Sequence, residues 1–222
     1  MKESLHYQTV MPFFLSTLRE LMQAEELKLF RLVGGTSLSL QMGHRQSVDI
    51  DLFTDAEYGS VDFSVIDQYL SRNFTYIDSL NTGIIGMGKS YFIGESAQQC
   101  IKLDLFYTDH FIRPVLTIDG LRLADLEEIT AMKIDVIARG GRKKDFWDIH
   151  ELLETFTIGQ MLKLHQERYP YSHNRDETIK QLVQFEDADN DFDPICLKHK
   201  YWELIKLDIH EKLEDFRKVN RR

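Results

Sequence analysis

Cysteine is scarce in this chain, whose 222 residues include only Cys100 and Cys196, far apart in the sequence. Two distant cysteines do not form a disulfide framework, and they lack the close spacing of a cysteine-based metal site. We therefore expect two reduced thiols.

Long hydrophobic runs are also missing. No stretch approaches the roughly 18 consecutive apolar residues that a membrane span requires. The first residues, MKESLHYQTVMPFF, lack the unbroken apolar segment and cleavage site of a secretory signal. Only four prolines interrupt the chain, and no internal repeat or low-complexity segment is visible. These features predict a folded cytoplasmic protein without a membrane partner.

Positive charge is in deficit, with 27 Lys and Arg against 36 Asp and Glu and a net charge of -9. This balance argues against a general nucleic-acid coat protein, whose affinity depends on a basic surface. Two local basic patches exist, RGGRKK at 139–144 and FRKVNRR at 216–222. They are either solvated helix ends or phosphate-binding patches, so RNA is not excluded as a substrate.

The hydrophobic pattern predicts a mixed first half. We expect helices over 5–26, 37–43 and 62–72, and strands over 27–33 and 48–53. Between residues 74 and 109, the segments TYIDSL, GIIGMGKSYFIG and QQCIKLDLFYT are typical of antiparallel strands. Glycines within and between them mark turns or bulges, namely Gly83, Gly86, Gly88 and Gly94.

From about residue 124 the pattern becomes helical. Asp125 and Glu128 form a capping-box-like start for a helix over 126–138, which Gly140 and Gly141 end. Further helices are expected over 144–155, from Thr157 onward, and over 197–218. The sequence therefore predicts an α+β fold: a mixed or antiparallel sheet with flanking helices over 1–120, followed by a helical half over 121–222.

Two aspartates in the strand VDIDLF suggest chemistry. Asp49 and Asp51 share one face of that strand, because successive side chains alternate. Carboxylates this close repel each other and acquire raised pKa values unless a positive charge lies between them. The bland interpretation is exposure on an edge strand. The apolar neighbours instead favour a partly buried strand, and oxygen ligands at this density suit Mg²⁺ or Mn²⁺.

A third acid, Asp104, lies in the alternating segment IKLDLFYT. If that strand pairs with VDIDLF, three carboxylates meet on one sheet face. Three acids can hold two metal ions roughly 3.5–4 Å apart, which activates an attacking oxygen and stabilises leaving pyrophosphate. The alternative is a solvated aspartate near a sheet end.

The triplet Gly34-Gly35-Thr36 stands between a predicted strand and a predicted helix. Glycine lets the backbone approach a ligand, and a helix N-terminus offers unpaired N–H groups that attract phosphate. The threonine hydroxyl adds a donor. Alone, the triplet is no more than a turn signal; the aspartates that follow it give it meaning.

Polar residues also lie on the later helices. Lys133 falls between Ile129 and Ile137 at four-residue spacing, so its side chain either extends outward or meets an anion. Asp145 and Asp148 share one helix face. Asp145 is also explained by its place in a first turn. His44 is either a substrate contact or an exposed turn residue, and the other histidines have no metal-ligand spacing.

These residues resemble a known family. GGTSLSLQMGHRQSVDIDLF is similar to the signature of the AbiEii/AbiGii toxin-type nucleotidyltransferases, within the DNA polymerase β-like nucleotidyltransferase superfamily. Arg45 and Ser47 supply the Arg-x-Ser that often precedes the aspartates. DLEEITAMKIDVIARGGRKKDFWDIHELL is similar to the family's later helical motif, so the resemblance covers about residues 30–155.

The resemblance implies transfer of a nucleoside monophosphate from an NTP to an acceptor, with Mg²⁺ or Mn²⁺ and release of pyrophosphate. Family members act as toxins countered by an antitoxin protein, and some extend the tRNA 3′ end. By position, Asp49 and Asp51 are the implied metal ligands, Lys133 neutralises phosphate charge, and Asp148 corresponds to the family's late acidic residue. Asp104, which the strand pattern adds as a third metal ligand, is the candidate to help activate the attacking hydroxyl. The implied nucleotide-binding residues are Gly34, Gly35, Thr36, Arg45, Ser47, Lys133 and Asp145.

Three functions stay open from the sequence. The first is nucleotidyl transfer to RNA, with tRNA as the expected acceptor. The second is transfer to a protein hydroxyl, since both reactions share the donor half. The third is a nucleotide-binding interaction module without catalysis, against which the intact carboxylates argue.

Overall fold

A computed structural model describes residues 4–79 and 86–220, and the turn expected at Gly83 lies outside them. Within these residues, seven strands form one mixed sheet in the order β3-β4-β5-β2-β1-β7-β6. The strands are β1 (Arg31–Leu32), β2 (Asp49–Thr54), β3 (Tyr76–Ser79), β4 (Gly88–Ser96), β5 (Gln99–Tyr107), β6 (Leu116–Ile118) and β7 (Leu121–Leu123). β2 runs parallel to β5 and antiparallel to β1.

Helices flank this sheet and make up most of the second half. They are α1 (Pro12–Gln23), α2 (Gly34–Met42), α3 (Phe63–Asn73), α4 (Leu126–Ala138), α5 (Lys143–Leu152), α6 (Ile158–Arg168), α7 (Arg175–Gln181), α8 (Glu186–Asp189) and α9 (Trp202–Asn220). The predicted α+β fold class is confirmed. No helix within residues 4–79 and 86–220 has the length and apolarity needed to cross a membrane.

Several boundaries differ from the predicted ones. The helix expected over 5–26 is a short 3-10 turn followed by α1, because Pro12 occupies the first turn and sets the start. The strand expected over 27–33 shrinks to β1, since Glu25–Leu27 forms another 3-10 turn. The hairpin of β6 and β7 was not predicted; its strands are too short to show a pattern.

The hydrophobic residues form two buried clusters. One packs α1 and α3 against the sheet and runs from Leu5 to Leu123. The other joins Val33 and Leu38 to the helices between Ala124 and Leu213. The division into two domains near residue 120 stays a prediction, because β7 lies beyond that position and still pairs with β1.

Two helix starts in the second half depend on specific side-chain contacts. Asp125 caps α4 by accepting from the Glu128 backbone N–H at 2.8 Å. Glu128 does not complete the expected capping box. Its buried carboxylate instead lies 2.7 Å from the Arg168 guanidinium and so joins α4 to α6. At α6 a capping box is present, with Thr157 and Gln160 bonded reciprocally.

Candidate active site

A cavity of about 690 Å³ opens between the sheet and α4. Six of the residues expected to bind nucleotide or metal lie on its wall, together with Lys133 on the helical side. Those six are Gly34, Gly35, Arg45, Ser47, Asp49 and Asp51. Asp145 also lines the cavity, whereas Thr36, Asp104 and Asp148 do not.

The carboxylates lie on neighbouring strands. Asp51 on β2 pairs in register with Asp104 on β5, and Asp49 pairs with Lys102. All four side chains therefore project from one sheet face. Asp104 is mostly buried, and its Oδ2 accepts from Lys102 Nζ at 2.5 Å.

This arrangement raises the pKa of Asp51. Burial raises its pKa to about 6, with further contributions from the negative charges of Asp104 and Asp49. Lys133 and Lys102 act in the opposite direction without cancelling the effect. Ionisation of such a carboxylate costs free energy, and a cation bound beside it offsets that cost.

The donor set fits a hard divalent cation. Asp104 Oδ1 is buried, and no donor among the described residues reaches it. Asp104 Oδ1 and the Asp51 carboxylate are therefore available as oxygen ligands, the kind that Mg²⁺ prefers. The three acids are not assembled as a cage: within residues 4–79 and 86–220, no group of three or more His, Cys, Asp or Glu side chains is arranged to hold an ion. Lys102 lies against Asp104, and Lys144 Nζ lies 3.8 Å from Asp49 Oδ2.

The glycine pair begins α2 directly beside the carboxylates. A Cβ on Gly34, whose φ is +66°, would lie 2.8 Å from Asp51 Oδ2. A Cβ on Gly35 would overlap Arg45 Nη2. The preceding residue, Val33, has no side chain that can cap the helix. The first N–H groups of α2 therefore form an anion-attracting terminus at the cavity wall.

Thr36 lies behind that wall, whereas its neighbour Ser47 forms part of it. Thr36 is buried, and its hydroxyl donates to the Asp49 backbone carbonyl at 2.5 Å. It also lies 2.7 Å from the Ser47 hydroxyl. The structure therefore places the Thr36 hydroxyl against the β2 backbone, where it positions Asp49, and not on the cavity surface.

Asp148 is the centre of a buried network. Arg45 donates to it through Nε at 2.6 Å and Nη2 at 2.8 Å, and Lys133 Nζ lies 2.6 Å from its Oδ2. Burial alone would raise the pKa of Asp148, but Arg45 and Lys133 hold it well below its usual range. Asp148 is thus an ionised group beneath the cavity.

The Lys133 side chain meets anions and does not extend outward to solvent, which is one of the two alternatives predicted from its position on the helix. Its Nζ donates to Asp145 Oδ1 at 2.7 Å in addition to its contact with Asp148. Burial lowers the pKa of Lys133, and the two carboxylates more than reverse that effect. The positive charges of Lys133 and Arg45 balance the negative charges of Asp145 and Asp148.

His44 contradicts both sequence interpretations. It is fully buried, and its Nε2 lies 2.7 Å from Asp148 Oδ1. It neither lines the cavity nor stands in an exposed turn. The reason is a strand-like segment between α8 and α9 that covers it: Leu197 N–H donates to the His44 carbonyl at 2.8 Å.

Sequence reasoning missed part of the cavity wall. Lys144 belongs to the basic patch RGGRKK, whose phosphate-binding interpretation was a usable signal. Lys143 in the same patch is buried, with Nζ 3.0 Å from Asp193 Oδ1, so it is not a solvated helix end. Asp135, Tyr169 and Ser172 also line the cavity, and no motif marked them.

Comparison with known proteins places this site in a family. The family model described as "Nucleotidyl transferase AbiEii toxin, Type IV TA system" matches residues 16–221, which extends past the 30–155 stretch noted in the sequence. "Uncharacterized protein aq_aa25" of Aquifex aeolicus is 31% identical over 200 residues, covering 84% of this chain and 87% of that protein.

Two solved structures have a similar fold. MenT4, a nucleotidyltransferase toxin from Mycobacterium tuberculosis H37Rv, aligns with a TM-score of 0.57 at 15% identity, covering 91% of this chain and 83% of its own. JHP933 from Helicobacter pylori aligns with a TM-score of 0.50 at 18% identity, covering 93% and 94%.

Proposed function

The chain belongs to the AbiEii family of nucleotidyl transferase toxins, and from that premise we propose a metal-dependent transfer of a nucleoside monophosphate from an NTP to the 3′ end of an RNA, with tRNA as the acceptor. Pyrophosphate is the second product. The observation that carries the proposal is the row of Asp49, Asp51 and Asp104 beside the uncapped start of α2.

The donor half of the reaction follows from that row. The N–H groups at the start of α2 bind the triphosphate, and the partly exposed Lys144 offsets part of its charge. Arg45 and Lys133, which are paired with Asp148 and Asp145, hold the cavity wall on which the nucleotide binds. Asp49, Asp51 and Asp104 are the residues that would hold Mg²⁺ or Mn²⁺. When bound, the cation supplies charge neutralisation to the phosphates and to the attacking oxygen.

The chemical step breaks a phosphoanhydride bond of the NTP and forms a phosphodiester bond to the acceptor. The terminal hydroxyl oxygen of the acceptor forms a bond to the α-phosphorus, and the bond from that phosphorus to the bridging oxygen breaks. Pyrophosphate leaves with the bonding electrons. Asp104 Oδ1, which has free acceptor capacity, takes the hydroxyl proton.

A second cavity of about 250 Å³ provides room for the acceptor. It shares Arg45, Ser47, Asp49 and Lys144 with the first cavity and therefore reaches the carboxylates. Arg142 and Phe192 also line it, and Phe192 is almost fully exposed. A guanidinium and an exposed aromatic ring are the groups that bind phosphates and stack on unpaired bases.

The remaining parts of the proposal come from the family. A toxin of this class is countered by an antitoxin encoded with it, and its substrates place it in the cytoplasm. An NTP is the donor. The toxin and antitoxin roles are tested by expressing the protein in its host with and without the neighbouring genes and measuring growth.

Transfer of each labelled NTP into total RNA and into whole-cell extract, with Mg²⁺ or Mn²⁺, tests the proposed reaction. We expect a label that RNase removes and protease does not, and that requires Asp49 and Asp51. Protease-sensitive label would identify a protein acceptor instead. Binding of NTP without any pyrophosphate release would contradict catalysis and favour an interaction module.

A further inference from the structure

The cavity continues beyond the carboxylates toward the carboxyl ends of β2 and β5. Asp49 and Phe53 both line it and lie four residues apart on β2, which corresponds to about 13 Å along the strand. Thr54 pairs with Tyr107, and Thr108 N–H donates to the Thr54 carbonyl at 2.8 Å. Tyr107, Thr108 and Asp109 therefore lie at the Phe53 end.

Apolar groups form two sides of this end. Phe53 is half-buried on the sheet side and packs edge-on against Phe106, with ring centroids 6.0 Å apart. Met132 and Val136 lie one turn apart on α4, half-buried, on the helical side. A slot between an aromatic ring and aliphatic side chains suits a flat heterocycle.

Charged side chains line both ends of the cavity. The end with the glycine pair carries Arg45, Lys133 and Lys144 together with the carboxylates of Asp49, Asp51 and Asp145. Asp135 lies toward the Phe53 end, because its partner His165 is one helical turn before Arg168, which donates to Thr108 Oγ1. On the proposed function, the triphosphate binds beside the start of α2 and the carboxylates that would hold the cation, which leaves the Phe53 end for the base.

Asp135 is the fixed polar group at the base end. Its side chain is 14% exposed, with Oδ1 lying 3.4 Å from His165 Nε2 and Oδ2 paired with the Arg139 guanidinium. Burial alone would raise its pKa, but His165 and Arg139 lower it. An ionised carboxylate only accepts hydrogen bonds, and two partners leave lone pairs for a third.

We infer that the donor nucleobase lies in the slot over Phe53 and that Asp135 selects bases with an exocyclic amine. This inference rests on the proposed function, because it takes an NTP as the ligand. Adenine, cytosine and guanine each offer an amine that donates to the carboxylate. Uracil offers two carbonyl oxygens flanking one N–H, and the carboxylate repels those oxygens.

The test is equilibrium binding of the four NTPs by calorimetry, with the full-length protein and Mg²⁺ and without an acceptor. We expect ATP, CTP and GTP to bind about tenfold more tightly than UTP, the effect of one charge-assisted hydrogen bond. Asp135→Asn should reduce this preference to about twofold, because an amide also donates to carbonyl oxygens. Asp187→Asn, the same change on an exposed helix, should leave it intact.

A ligand-side comparison avoids any dependence on the folding of a variant. Purine riboside triphosphate lacks only the amine of ATP, and it should bind the unaltered protein about tenfold more weakly. Equal binding of ATP and this analogue, or of UTP and CTP, would overturn the inference while leaving the proposed transfer intact. Failure of all five nucleotides to bind would overturn both.

Discussion

Asp51 and Asp104 stand directly side by side on two parallel strands, and one oxygen of Asp104 is buried with no donor from the part of the chain that the structure describes. Two carboxylates in this relationship destabilise each other in the absence of a cation. The protein retains them at a position where a glycine, Gly34, lets the start of α2 approach Asp51. The site therefore gives up some stability for ligand binding, as active sites commonly do.

Asp51→Asn should stabilise the cation-free protein while abolishing transfer. Because the pKa of Asp51 is raised to about 6, its protonated form favours the fold at low pH, and this contribution is lost as the pH rises from about 4 to about 6. Asparagine cannot lose that proton. At pH 8 without Mg²⁺ the variant should be more stable on the order of 1–2 kcal/mol, measured by urea unfolding.

Mg²⁺ supplies the control for that comparison. It should raise the midpoint of unfolding of the unaltered protein at pH 8 and have little effect on Asp51→Asn. A variant that is less stable than the parent at pH 8, or that still transfers nucleotide, would contradict the assignment of Asp51.

Asp148→Asn should be strongly destabilising. The change leaves Arg45 and Lys133 with Asp145 as their one remaining carboxylate in the network. Removal of one partner from a buried ion pair costs about 3–5 kcal/mol, which lowers the melting temperature by about 6–20 °C in a chain of this length. Asp208→Asn, at an exposed pair with His150, should shift it by less than about 2 °C. A small shift at Asp148 would argue against the network.

Gly35→Ala should impair transfer by displacing Arg45. The added Cβ would overlap the Arg45 guanidinium, which must then leave its bidentate contact with Asp148. A cost of about 1–3 kcal/mol is expected from the steric conflict. Gly86→Ala is the matched control, because a Cβ there meets no atom of residues 4–79 and 86–220 within 4 Å. Equal activity and equal melting temperature in the two variants would contradict this packing.

Lys144→Gln should raise KM for the NTP without altering the fold. Lys144 is 42% exposed and lies near Asp49, so its charge is available to a triphosphate and its removal leaves no buried gap. We expect KM to rise about threefold at low salt, with the effect shrinking as salt screens the charge. Lys163→Gln, on the exposed face of α6, should leave KM unchanged. Steady-state kinetics at two ionic strengths measures both.

The carboxylate row was accessible to sequence reasoning because it depends on local alternation. The pattern in VDIDLF assigned Asp49 and Asp51 to one face, and the pattern in IKLDLFYT did the same for Asp104. Their parallel pairing needed one further assumption, which the structure bears out. α2 begins three residues before its predicted start at residue 37, because Gly34 already enters the helix with a positive φ.

The network beneath the cavity was not accessible in this way. Arg45 and Asp148 are far apart in the chain, and only the packing of α5 brings them together. His44 is buried by the segment around Cys196, which pairs with Arg45 through an isolated β-bridge. Such a pairing leaves no hydrophobic periodicity in the sequence. Asp135 and Ser172 reach the cavity from α4 and from the loop after α6, so their roles follow from tertiary packing alone.

The central claim is that Asp49, Asp51 and Asp104 hold a divalent cation beside the donor triphosphate. Anomalous diffraction from crystals grown with Mn²⁺ and a non-hydrolysable NTP analogue tests it directly. We predict manganese peaks about 2.2 Å from oxygens of Asp49, Asp51 and Asp104, with Lys102 withdrawn from Asp104. Manganese bound elsewhere, with Lys102 still paired to Asp104, would contradict the account.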